Sequence, residues 1–190
     1  QAKADWPDML EQLCFHVKER LRRGAPVVEL WAREDRPRPE FLIDPLIVKG
    51  QPNVLFGDPG AYKSNLAVAL AHILLLPWPD NPLGIKGLDR TIRLLYLDWE
   101  TDADTLDFLC LMFRNGHDIG SFPLPYRHCA VPLSEDIEAI QEHIQDQDAE
   151  AIIIDSLGMA AGVADLNLST APMAFYRGLR QLQTPKRQPI

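Results

Sequence analysis

The chain has 190 residues, 46% of them hydrophobic, enough to bury one core of ordinary domain size. A formal net charge of -8 and three cysteines without C-x-x-C spacing argue against a broad nucleic-acid footprint, a disulfide framework and a zinc knuckle. The longest apolar run, Leu66 to Leu76, contains His72 and falls well short of the roughly 20 residues that span a bilayer.

Asp5, Asp8 and Glu11 around Trp6 and Leu10 lack the basic and then apolar layout of a secretory signal, so neither export nor membrane association is expected. Unpaired Cys14, Cys110 and Cys129 suit a reducing cytoplasm. The histidines show no H-E-x-x-H spacing, so no transition-metal site is expected. Trp6 to Arg23 has a partly helical apolar rhythm with Gly24 as a stop. This helix reads either as an appendage or as a cap on the main core. Prolines recur from Gly24 to Pro52, which predicts an exposed connector. The expected division is a helix and Pro-rich connector over 1–40, then a main core over 41–190.

Within that core, Asn53 to Phe56 (NVLF) predicts a strand, and Ser64 to Leu76 a buried helix that Pro77 ends. Ile92 to Leu97 predicts a second strand running into Asp98 and Glu100, followed by a helix from Thr101 to Arg114. A weaker strand is expected over Tyr126 to Val131, and a helix over Ser134 to Gln147 capped by Ser134 or Asp136. AIIIDS is an uninterrupted buried-strand run ending on Asp155 and Ser156. Strands alternating with helices predict an α/β fold, a parallel sheet with helices on both faces.

Between the NVLF strand and its helix lies GDPGAYKS, Gly57 to Ser64. It fits the phosphate-loop pattern G-x-x-x-x-G-K-[ST] except that Tyr62 replaces the second glycine. Were that position left-handed, tyrosine would cost about 1–2 kcal/mol. The nucleotide-binding candidates are Gly57, Asp58, Pro59, Gly60, Ala61, Tyr62, Lys63, Ser64 and Asn65. Backbone amides and the positive helix end would cradle the phosphates, with Lys63 reaching the β and γ groups. The Ser64 hydroxyl and Asp155 would hold Mg²⁺, and Glu100 would activate water as general base. The plainer readings are a strand-to-helix turn, an aspartate capping the next turn and a solvated glutamate beside Asp98.

FLIDPLIVKGQPNVLFGDPGAYKSNLAVALA, LLYLDWE, AIIIDSLGMAAG and DLNLSTAPMAFYRGLRQL together resemble the RecA-type branch of P-loop ATPases. They look most like the RepA-like, DnaB/KaiC-related ATPases with an AAA domain, over roughly Leu42 to Leu182. The resemblance implies a RecA-like P-loop core that binds ATP and Mg²⁺ and hydrolyses ATP. Lys63 and Glu100 are the implied catalytic residues, and Ser64 and Asp155 the metal residues. It further implies a homo-oligomeric ring or filament working on single-stranded DNA in replication, recombination or helicase-type reactions. Such folds insert a further strand between the phosphate-loop strand and the Asp155 strand, after the last helix. PKRQPI stands there instead, so a C-terminally incomplete core is expected. Two other readings are an ATP-binding switch or loading scaffold with little turnover, and a P-loop small-molecule kinase. A separate strand bearing Glu100 speaks against the kinase. Arg177 and Arg180 read as exposed helix charges.

Overall fold

Apolar runs that end on polar residues supply the strands of this chain, and the computed structural model describes residues 6–23, 26–31, 35, 38–77, 81, 83–162 and 170–182. The expected stop at Gly24, the loop over 163–169 and the terminal 183–190 lie outside the described residues. The chain divides into two compact units, Gln1–Arg38 and Pro39–Ile190.

The first unit holds α1 (Trp6–Arg23), with Asp8 in its first turn and Arg20, Arg22 and Arg23 in its last. Those charges oppose the helix dipole at each end. Trp6, Met9, Leu10, Leu13, Phe15 and Val17 are all exposed. No helix among the described residues is long and apolar enough to cross a membrane.

The second unit opens with a hairpin, β1 (Phe41–Ile43) and β2 (Ile47–Val48), paired antiparallel. Leu42 and Ile43 are buried and pack with Leu70, Ile73 and Leu74 of α2 (Lys63–Leu75). An exposed connector reaching Pro52 is therefore corrected. Leu42 and Ile43 precede the Asp44–Pro45 turn and half-buried Ile47 and Val48 follow it, and burying that apolar surface outweighs the proline content that suggested a loop.

The central sheet is parallel, with β3 (Leu94–Asp98) between β4 (Tyr126–His128) and β5 (Ala151–Asp155). Helices α3 (Ala103–His117) and α4 (Ile137–Asp146) connect these strands, and α5 (Leu157–Ala160) and α6 (Thr170–Leu182) follow β5. Alternation sends Tyr96 and Ile153 to one face, against Ala67 and Val68 of α2 and Leu106 of α3. Leu95 and Leu97 pack on the opposite face with Ile140 and Ile144 of α4 and Phe175 and Leu182 of α6. Every residue of β3 is buried, as expected for a strand covered on both faces. Among the described residues the architecture is α/β, a three-stranded parallel sheet with helices packed on both faces.

Three local expectations change. The helix expected from Thr101 begins at Ala103, because Asp102 caps it by accepting the Thr105 N–H at 2.7 Å. The helix expected from Ser134 is a 3₁₀ turn, Leu133–Glu135, followed by α4. Asp136 stands at the α4 N-cap position without capping it, because its carboxylate pairs with Arg127 at 2.7 Å. A charge-assisted bond wins over a backbone amide there.

Asn53 to Phe56 is not a strand: Val54 and Leu55 are exposed and Phe56 is 88% exposed. A strand exists through its ladder, and none of the described residues pairs with this segment. The outer edge of β5 likewise lacks a strand partner among the described residues, which contain no strand between the two.

Candidate functional site

The phosphate-loop sequence folds as a tight turn entering α2. Ala61 N–H donates to the Asp58 carbonyl at 3.1 Å, Gly60 has φ 78°, and Tyr62 has φ 56° and ψ 32°. Position 62 therefore does take the left-handed conformation, with its cost of about 1–2 kcal/mol for a residue bearing Cβ. The Tyr62 side chain is 76% exposed.

Lys63 folds back over the turn, where Nζ donates to the Gly57 carbonyl at 3.1 Å and the Asp58 carbonyl at 2.9 Å. A Cβ on Gly57 would stand 3.2 Å from the Ala61 Cβ and 3.7 Å from the Lys63 stem, so glycine lets the turn close beneath the lysine. Tyr62 makes no side-chain cap, and the first turn of α2 carries no acid. The first amides of a helix have no intrahelical acceptor, which leaves this end electropositive and open to an anion. Ser64 is half-buried in that first turn; Asp58, Pro59, Ala61 and Asn65 are exposed.

The two strand-end acids lie on neighbouring strands. Asp98 and Asp155 are register partners in the parallel β3–β5 pair. They share a face with Tyr96 and Ile153, the face on which α2 packs against β3 and β5. The Tyr96 hydroxyl donates to Asp155 Oδ2 at 2.8 Å. Ser156, not Asp155, is the N-cap residue of α5, and the Asp155–Ser156 peptide is cis.

Asp98 is fully buried and organises the exit of β3. Its Oδ1 accepts the N–H of Glu100 at 2.9 Å and of Thr101 at 3.0 Å. Its Oδ2 accepts the Thr101 hydroxyl and, at 3.3 Å, the Tyr126 hydroxyl. Trp99 holds the same turn from the other side, its Nε1 donating to the Val131 carbonyl at 2.7 Å and its N–H to the Asp155 carbonyl at 2.5 Å. The Glu100 backbone is fixed between these anchors, while Glu100 itself is exposed.

Burial, reinforced by the charge of Asp155 and the bond to it, pushes the Tyr96 hydroxyl well above its ordinary range. Burial and the Asp98 charge push Tyr126 up to about 12. Both phenols thus remain protonated donors at neutral pH. Tyr96, Asp98, Thr101 and Tyr126 escaped the sequence reading as site residues. The available signal was Tyr96 and Asp98 at i and i+2 in the otherwise apolar run LLYLD, two polar groups on one face of a buried strand.

Ser64 and Asp155 offer a hydroxyl and a carboxylate, a set of hard oxygen donors that fits magnesium, which keeps several of its waters. Among the described residues no group of three or more His, Cys, Asp or Glu could hold a metal ion.

A protein-family model described as an AAA domain matches residues 18–190. No curated protein matches the chain.

Proposed function

Because the chain belongs to the AAA-domain family, P-loop ATPases related to the RecA, RepA and DnaB types, we propose that it binds ATP with Mg²⁺ and hydrolyses the β–γ phosphoanhydride bond. The observation that carries this reading is one arrangement: the phosphate-loop helix packs on the sheet face that bears Tyr96 and Ile153, where alternation also sends Asp98 and Asp155.

In this reading the α2 amides and the backbone from Gly57 to Asn65 cradle the phosphates, and Lys63 exchanges its loop carbonyls for the β and γ oxygens. Ser64 and Asp155 would hold the metal, which when bound neutralises charge on the β and γ phosphates. Glu100 takes a proton from the attacking water. Its fixed backbone limits the arc through which that carboxylate swings, which lowers the entropic cost of reaching the water. The family relation supports a homo-oligomeric ring or filament acting on single-stranded DNA in replication, recombination or helicase-type work, and the DNA step rests on that relation alone.

The test is calorimetric titration of ATP into the chain and into Lys63→Ala, with and without Mg²⁺. Binding that needs both Lys63 and Mg²⁺ supports the reading; binding indifferent to Lys63 overturns it. Phosphate release without an added acceptor then distinguishes hydrolysis from kinase chemistry. Salt-dependent association with single-stranded DNA tests the partner class.

A further inference from the structure

Tyr96 is fully buried, and its ring is packed among Ala67 and Val68 of α2 and Leu106 of α3. Its hydroxyl meets Asp155 Oδ2 at 2.8 Å. A phenol wedged by its ring cannot follow a turning carboxylate, so the carboxylate keeps the rotation in which Oδ2 faces the hydroxyl. Asp98 is already served by four other donors and does not compete for this one.

From this geometry we infer that Tyr96 is a positioning residue, which engages Oδ2 of Asp155 and so leaves Oδ1 to face the cation held with Ser64. The inference rests on the reading of Asp155 as a magnesium-shell acid. It assigns the hydroxyl a purpose beyond filling the core, for which a phenylalanine ring would suffice. Partners of this kind orient a ligating group, and their loss typically weakens metal binding by about 10- to 100-fold.

The experiment measures the affinity of the 190-residue chain for a non-hydrolysable ATP analogue, by calorimetry, in magnesium and in EDTA. Wild type is compared with Tyr96→Phe, Asp155→Asn and the double variant. Tyr96→Phe is expected to cut the magnesium-dependent gain in affinity about tenfold, to leave the EDTA affinity unchanged, and to add nothing in the Asp155→Asn background. Equal losses in magnesium and EDTA, or additive effects in the double variant, would mark a merely structural hydroxyl and overturn the inference. A full magnesium gain in Tyr96→Phe beside a lost gain in Asp155→Asn overturns it too, with the role of Asp155 intact. An unaltered gain in Asp155→Asn, or a wild type that gains nothing from magnesium, overturns the reading beneath it and the inference together. Should Tyr96→Phe fail to fold, Asp155→Glu decides, since it carries the carboxylate past the hydroxyl without touching the core. A wild-type magnesium gain in that variant overturns the inference.

Discussion

Asp98 and Asp155 stand opposite one another in register at the carboxyl ends of adjacent parallel strands, and each accepts a hydrogen bond from its own tyrosine, Tyr126 and Tyr96. Like charges on neighbouring strands repel, and a buried carboxylate without donors is costly. The directed hydroxyls and the two turn amides offset both effects.

Removing the Asp98 carboxylate strands those donors. Asp98→Ala is expected to destabilise the fold by about 2–4 kcal/mol, since buried amides and hydroxyls lose their acceptor. Asp98→Asn keeps one acceptor oxygen and should lose about half as much. Urea unfolding monitored by Trp fluorescence, with unchanged slopes, reads the difference.

Glu100→Gln keeps the backbone bond to Asp98 and removes only the base. Turnover is expected to fall about 100- to 10,000-fold with ATP affinity retained. Phosphate release measured at saturating ATP checks this, and unchanged turnover would remove Glu100 from the mechanism.

Tyr62 holds a left-handed backbone at the entry of α2, and its exposed ring gains little from packing. Tyr62→Gly relieves about 1–2 kcal/mol of strain and costs roughly 0.5–1 kcal/mol in extra unfolded-state entropy. The net expectation is a gain between zero and about 1.5 kcal/mol. A β-branched Tyr62→Val should destabilise instead. Paired denaturation curves separate the two directions.

His72 gives the fold a pH limit. It is buried, bonds the Val68 carbonyl through Nδ1 at 2.8 Å, and stacks near Phe113 at 4.9 Å. Burial, ahead of the Arg114 charge, lowers its pKa from the model-peptide value of 6.5. The unfolded chain therefore takes up a proton near that value while the folded chain stays neutral. Stability is full above about pH 6.5 and declines as pH falls from there to the lowered folded pKa. Glu40, Asp102 and Glu150 are lowered from 4.5, 3.8 and 4.5, so their losses lie at still lower pH. Melting temperatures between pH 7 and 5 should fall, and His72→Leu should flatten that decline.

The sheet strands and most helices were legible because their signals are local. LLYLD and AIIID are continuous apolar runs that stop on an acid, and SNLAVALAHILLL is apolar nearly all round. What the sequence could not show depends on partners distant along the chain. NVLF carries a strand composition, yet pairing decides whether such a segment becomes a strand, and no composition encodes the neighbour. Asp136 looked like a helix cap because a cap is local, whereas its actual partner, Arg127, lies across a turn in the fold. Asp98 read as a strand-end charge. Its burial follows from β4 and β5 lying on either side, with α2 and α3 covering its face.

Among the described residues no strand pairs with the outer edge of β5, and that bears on how the molecule behaves in company. The isoleucines of β5 are half-buried, and the Val54–Leu55–Phe56 run lies exposed. Any extended apolar segment, including that of another copy, can zip onto such an edge. An edge left open in this way would make the chain adhesive: its colloidal behaviour should then depend steeply on concentration, and a short edge-matching peptide should keep it dispersed.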